Sequence, residues 1–247
     1  MRLAWDKTGE RLYETGVDKG VLYPFSKESE KYAAGVPWNG LSAVNESPSG
    51  AEPTALYANN AKYVTLMSAE ELGLTIEAYT YPDEFLKCLG KEELAPGVTI
   101  SQQDREHFGV SYRTLIGNDE QGNNHGYKIH LVYDCLASPT EDKHSTVNDS
   151  PDVSPFSWEV STTPVSIDDA KTTTKITIDS TVFHGAEMMN AFRAIEDALY
   201  GTDKTEAWLP VFSELEELIY YHRCLIDSKS EALLDSSGKP LLSRIYE

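Results

Sequence analysis

Basic residues are scarce in this chain. It has 21 Lys and Arg against 40 Asp and Glu among 247 residues, which gives a formal net charge of −19. Proteins that hold nucleic acid contact its phosphates through surfaces rich in Lys and Arg. The charge therefore argues against a phosphate-binding protein and indicates that DNA passing near the chain is repelled.

Cysteines and long apolar runs are also few. The three cysteines, Cys88, Cys135 and Cys224, are far apart and form no CxxC pair, so we expect neither a disulfide framework nor a cysteine zinc site. No run is long and apolar enough to cross a bilayer, and residues 1–6 lack the apolar core of a signal peptide. These features predict a protein made in a cytosol, without membrane contact.

The motifs of common catalytic and cofactor sites are missing from the sequence. It has no GxSxG elbow of a serine hydrolase and no GxGxxG or GxxxxGK[ST] loop to hold phosphates. None of the six histidines has the close spacing of a zinc helix or finger. Neighbouring acids, such as Asp168 and Asp169, fall in predicted turns or on solvent faces, where they serve solubility. We expect no catalytic site, no metal and no cofactor.

Alternation of apolar and polar residues predicts several β-strands. The clearest two cover residues 108–115 and 127–135, and the Gly- and Asn-rich stretch 117–126 between them predicts a hairpin loop. Further strands are predicted near 38–44, 63–67, 74–81, 156–163 and 172–178. The residues that share one face are Phe108, Val110, Tyr112 and Thr114 in the first strand, and Tyr127, Ile129, Leu131, Tyr133 and Cys135 in the second.

Helix signals are fewer and mostly lie late in the chain. Apolar spacing predicts a helix over 188–199 that ends at Gly201, and a second that begins near Pro210; a short one follows residues 82–83. The polar segments 35–56 and 138–155 each carry three prolines and are predicted loops. We predict a mainly β protein with minor α content.

Several segments, taken in order, resemble the major tail proteins of siphophages that infect Gram-positive bacteria. The resemblance begins with YETGVDKGVLYP at residues 13–24 and covers roughly residues 12–218. No single segment is a catalytic motif, and it is their order that is specific. The other segments are GVPWNGL (35–41), NESP (45–48), LMSAEE (66–71), IEAYTYPDEF (76–85), YRTLIGND (112–119), GYKIHLVY (126–133), FSWEVSTTPV (156–165), IDS (178–180) and LYGT (199–202).

The resemblance implies a tail-tube-type β-sandwich or barrel over residues 1–222, with one or two flanking helices and long inter-strand loops, followed by a C-terminal extension or arm over 223–247. Such subunits form the virion tail after assembly in the host cytoplasm. They close into hexameric rings, and the rings stack into the conduit for DNA ejection. The implied partners are copies of the chain, the tape measure protein, the tail terminator and the distal tail protein, with genomic DNA passing without specific binding.

Two questions of function stay open at the level of sequence. The acidic charge either lines the lumen of a tube and repels DNA, or keeps a concentrated subunit soluble. Exposed-looking aromatics such as Tyr57 and Tyr79 also suit a carbohydrate- or receptor-binding β-sandwich of the virion, although burial in the core is more usual for each of them.

We expect subunit contacts in segments 34–57 and 118–124. The candidate interface residues are Trp38, Asn39, Asn118, Asp119, Asn123 and Asn124.

Overall fold

The computed structural model describes residues 3–50, 52–67, 70–141, 146, 155–166 and 172–223. Within these residues the chain is mainly β with minor α content, which confirms the predicted fold class. The strands are β1 (Tyr13–Ser26), β2 (Lys31–Tyr32), β3 (Val36–Pro37), β4 (Leu41–Gly50), β5 (Pro53–Ala58), β6 (Ala61–Met67), β7 (Glu70–Ala78), β8 (Glu92–Ala95), β9 (Val98–Ile100), β10 (Phe108–Asn118), β11 (Gly122–Ala137), β12 (Phe156–Thr162) and β13 (Lys175–Asp179). The helices are α1 (Phe85–Cys88), α2 (Ala186–Tyr200) and α3 (Phe212–Arg223), with a 3₁₀ turn at Ser180–Val182.

Nine of the described strands form one antiparallel sheet that folds over on itself. Its path runs β2-β1-β10-β11-β12-β7-β4, with β3 paired to β1 and β13 paired to β11. Strand β4, at one end of the path, lies over the other half of the sheet: the Tyr112 hydroxyl on β10 donates to the Glu46 carboxylate on β4, and Lys175 on β13 forms an ion pair with the same carboxylate. The result is a sandwich with one layer of β1, β10, β11 and β13 and another of β12, β7 and β4.

An aromatic core fills the space between the two layers. The Trp158 ring centroid lies 5.3 Å from that of Phe85 and 5.7 Å from that of Trp38, in the tilted and edge-to-face arrangements that aromatic rings prefer. Apolar residues from both layers complete this core. The buried members include Leu22, Leu74, Ile76, Ala78, Phe108, Val110, Tyr112, Val132, Cys135 and Val160.

A second core lies outside the sandwich, between the β1/β10/β11/β13 layer and helices α2 and α3. Ile129 and Leu131 on β11 pack there with Ile195 and Leu199 on α2. The Tyr23 hydroxyl donates to the Leu199 carbonyl (2.7 Å), so the buried phenol is hydrogen-bonded. Both faces of β11 are therefore buried, and the strand forms the centre of the fold.

A β-bulge at Asp134 makes one predicted face assignment wrong. Alternation puts Cys135 on the face of Tyr133, yet Cys135 is buried with Phe108 in the inner core and Tyr133 lies in the outer one. The β10–β11 register shifts at this point, and Asp134 has a φ of +46°. An extra residue in one strand reverses the alternation beyond it. The Asp134 backbone N–H donates instead to the Tyr32 hydroxyl (2.9 Å).

The two predicted loops that the structure describes are mostly strand. Segment 35–56 contains β4 and the start of β5, because an edge strand tolerates Pro48 and Pro53 where a central one would lose a ladder hydrogen bond. Segment 117–126 shrinks to a three-residue turn between β10 and β11. Most of segment 138–155, and the extension beyond residue 223, lie outside the described residues. None of the described helices is long and apolar enough to cross a membrane.

Candidate interaction surface

Strands β5 and β6 form a two-stranded hairpin that does not pair with the main sheet. It runs from the Pro53–Met67 pair to the Ala58–Ala61 pair, and Asn59 and Asn60 close it with φ values of +50° and +61°. Every residue of β6 is exposed, and in β5 only Ala55 is partly covered. An isolated hairpin is at best marginally stable in water. This hairpin (residues 53–67) therefore needs a partner surface to hold its conformation.

Both faces of the hairpin expose large apolar side chains. Leu56, Val64 and Leu66 are exposed, and alternation along the strands puts them on one face. The other face carries Tyr57, whose exposed fraction is 73%, and Met67, whereas Tyr63, which is 78% exposed, lies at a register shift between the two strands. Contiguous exposed apolar surface of this kind marks sites of contact with other proteins. Because both faces are apolar, a single covering surface leaves half of the hairpin exposed.

The hairpin is also free of acidic residues. Residues 53–67 contain no Asp or Glu and a single Lys, in a chain with 40 acidic residues. Lys62 near the tip forms no ion pair with any other described residue. Two chains of charge −19 repel each other, and this repulsion is weakest where acidic residues are missing.

A shallow trough lies on the outer face of the β12/β7/β4 layer. It encloses about 350 Å³, and its floor consists of Gly73 on β7 between Ser47 on β4 and Ser161 on β12. Glu71 and Glu159, both exposed, lie at its rim. Within the described chain, neither carboxylate forms an ion pair. The trough is thus an open depression of mixed polar and apolar lining that carries two acidic side chains, unlike the hairpin.

The structure moves Trp38 from the predicted interface to the inner core. Its exposed fraction is 4%, and its indole N–H donates to the Thr80 carbonyl (3.0 Å). Burial of a large aromatic ring outweighs any contact that the ring makes at a surface. Trp38 is therefore buried within its own chain and its role at an interface stays a prediction, whereas its neighbour Asn39 is exposed.

The turn between β10 and β11 binds the N-terminal segment of its own chain. Asn118 is 4% exposed. Its Oδ1 accepts hydrogen bonds from the backbone N–H groups of Glu120 and Gln121. Its Nδ2 donates to the Gly9 carbonyl (3.2 Å). The Gly9 N–H donates to Asp119 Oδ1 (3.0 Å), and the Tyr13 hydroxyl donates to Asn123 Oδ1 (2.9 Å). These polar groups are thus already satisfied. The candidate interface residues that the structure leaves exposed without such a role are Asn39 and Asn124.

A buried polar cluster lies around His130, between the two layers. The imidazole is 5% exposed and stacks on Tyr112, with ring centroids 4.8 Å apart. Its Nε2 lies 2.9 Å from the Thr114 hydroxyl, which donates its own proton to Glu14. His130 Nε2 is therefore a donor to Thr114 and does not act as a base toward it. The pair lacks the arrangement of a nucleophile with its activating histidine.

Burial lowers the pKa of His130 from 6.5 to about 4. Two ion pairs flank the ring: Lys128 with Glu14 (2.7 Å), and Lys175 with Glu46. Hydrogen bonds from Lys128 and Thr114 lower the pKa of Glu14, and although burial raises that of Glu46, bonds from Lys175 and Tyr112 lower it overall. With His130 neutral, the two acids and two lysines balance in charge.

The free energy of unfolding is expected to fall as the pH drops from about 6.5 to 4, because the unfolded chain then binds a proton at His130 that the folded chain does not. Substitution His130→Gln removes this dependence, which amounts to at most about 3 kcal/mol over the interval. Urea unfolding at pH 7, 6, 5 and 4 measures it. The matched control is His184→Gln at an exposed histidine. Equal slopes for the two variants would contradict the prediction.

Among the described residues, no three His, Cys, Asp or Glu side chains lie close enough together to hold a metal ion. No family model matches the chain, and no curated protein matches it at a significant level. The hairpin and the trough are exposed surfaces of the described chain.

Proposed function

We propose that this protein is a structural subunit that assembles with copies of itself into a tube, the tail tube of a siphophage, and that it has no catalytic site. The observation that carries the proposal is the hairpin 53–67, which exposes apolar side chains on both faces. The ordered resemblance to siphophage major tail proteins supports it, as does the mainly β fold with helices on one side.

Copies of the same chain are the partner that suits the hairpin best. An acid-free surface on a strongly acidic protein is where self-association meets least repulsion. A tube surrounds each subunit with neighbours on several sides, so both faces of a hairpin find a covering surface. Contacts that close around a ring and contacts that propagate along an axis together give stacked rings. Hexameric rings are the arrangement that the resemblance implies.

Unpaired strand edges also support self-assembly. Among the described strands, β4 pairs only with β7, and the first residues of β1, 13–19, pair only with β10. Exposed edges carry free N–H and C=O groups that pair readily with another chain. Neighbouring subunits that supply those partners extend the sheet and remove the edges.

The remaining proposals follow from the same assignment. The tube is the conduit for DNA ejection, and its acidic subunits let a duplex pass without binding it. The further partners are the tape measure protein, the tail terminator and the distal tail protein. The location is the virion tail, reached from the host cytoplasm.

Self-assembly is tested by sedimentation velocity and negative-stain electron microscopy of the purified chain over a range of concentrations. Rings or tubes are expected, since the exposed apolar hairpin favours association. A dispersed monomer at every concentration, including several milligrams per millilitre, would contradict the proposal.

A carbohydrate- or receptor-binding role is the second candidate. The observation that favours it is the exposure of Tyr57 and Tyr63 on one hairpin, since exposed aromatic rings also stack on sugars. A glycan-binding screen on monomeric protein separates the two candidates. Specific glycan binding without rings or tubes favours this alternative.

A further inference from the structure

The trough on the β12/β7/β4 layer is a second unpartnered surface, next to the hairpin in sequence. β5 follows β4 and β6 leads into β7, so the hairpin continues the two strands that carry Ser49 and Glu71 at the trough edge. Its strands have six and seven residues and reach about 20 Å. None of the residues that line the trough belongs to the hairpin of the same chain, which leaves the trough open to another chain.

The shape of the trough suits a strand or hairpin. Three residues with small side chains are neighbours on adjacent strands, namely Ser47, Gly73 and Ser161. The two serines have short side chains, and glycine has only a hydrogen atom. Taller side chains stand at the rim, including Glu71 and Glu159. A row of small residues between taller ones lets another backbone come close to the sheet, which is the use of glycine in such positions.

The charges of the two surfaces are complementary. The hairpin carries Lys62 as its one charged residue, and the trough carries the carboxylates of Glu71 and Glu159. All three lack an ion-pair partner within the described part of their own chain. Opposite charges across an interface fix its register and disfavour other pairings.

We propose that the hairpin of one copy docks in the trough of the next copy, with Lys62 beside Glu71 and Glu159. This inference rests on the proposed self-assembly and specifies its two surfaces. Donor and acceptor are different patches of one chain, so the contact is head-to-tail and passes from each copy to the next. A heterologous contact of this kind builds rings or filaments, as a tube requires.

Charge reversal tests the docking. Lys62→Glu brings a third carboxylate to an acidic trough, and we expect it to raise the concentration needed for assembly by about tenfold or more. Glu159→Lys alone is expected to weaken assembly in the same direction. The double variant Lys62→Glu with Glu159→Lys is expected to assemble within a few-fold of the wild-type concentration, because the pair is restored with exchanged signs. Sedimentation velocity and electron microscopy give the concentrations.

The matched control is Lys27→Glu, which makes the same change of charge at another exposed lysine. It is expected to assemble like the wild type, and thermal unfolding of every variant checks that the fold is kept. Assembly of Lys62→Glu at the wild-type concentration overturns the docking, and so does a double variant that is as weak as Lys62→Glu. If removal of the hairpin stops assembly while Lys62→Glu does not, self-assembly stands and only this pairing of surfaces is wrong. A wild-type chain that never assembles overturns both.

Discussion

Replacement of residues 53–67 by an Asn-Gly turn is expected to abolish self-assembly and leave the monomer folded. The hairpin contributes no residue to either core, so its loss removes no buried contact from the described chain. Asn-Gly is a favoured two-residue connection between antiparallel strands and rejoins β4 to β7. Sedimentation velocity should give a monomer at all concentrations, with a midpoint of thermal unfolding within about 3 °C of the wild type.

The second exposed hairpin of the chain supplies the control. β8 and β9 also form a separate two-stranded sheet with exposed apolar residues, Leu94 and Val98, but this hairpin carries Glu92 and Glu93. Its replacement by the same turn is expected to leave assembly intact. Tubes formed by the chain without residues 53–67 would contradict the role of that hairpin and remove the main support for the proposed function.

Substitution Trp158→Ala is expected to lower the free energy of unfolding by about 3–5 kcal/mol, the usual cost of removing a large aromatic side chain from a packed core. The ring is 2% exposed and lies within 5.7 Å, centroid to centroid, of Trp38, Tyr81, Phe85 and Phe156. The two layers meet at this cluster, so the substitution leaves a cavity between them. Since a domain of this kind is stable by about 5–15 kcal/mol, such a loss is a large share of the total.

Urea unfolding followed by far-ultraviolet circular dichroism measures the loss. Trp5→Ala is the matched control, because the same residue type is 76% exposed at that position. It is expected to change the free energy of unfolding by less than about 0.5 kcal/mol. Equal effects at the two positions would show that the aromatic cluster does not hold the layers together.

The strands that could be predicted from sequence are those in which apolar and polar residues alternate along most of the strand. β10 and β11 alternate over many residues, so periodicity finds them even though their ends and the Asp134 bulge are missed. β1 is harder, because its register on β10 shifts twice and Gly16 and Lys19 have positive φ values. Alternation cannot persist through such irregularities. The order of the strands in the sheet depends on contacts between distant residues, which local patterns do not report.

The residues predicted for the interface show a similar limit. Trp38 and Asn118 stand in polar, loop-like sequence, yet one is buried by its aromatic neighbours and the other by the turn that its side chain organises. The predicted contact segment 34–57 covers β5 up to Tyr57 but not β6, because apolar residues that alternate in a strand normally indicate a core. The lack of acidic side chains does not single out residues 53–67 either, because residues 31–45 are an acid-free stretch of the same length.

The pairing of β1 with β10 has a kinetic consequence. Tyr13 pairs with Gly117, so the first strand has no partner in the main sheet until more than a hundred further residues have been synthesised, apart from its short contacts with β2 and β3. Closing a loop of that length costs entropy before any contact offsets it. Within the main sheet, the β10–β11 hairpin has the shortest connection between paired strands, three residues, and so closes at the smallest entropic cost. We therefore expect the main sheet to start folding at this hairpin and β1 to join it later.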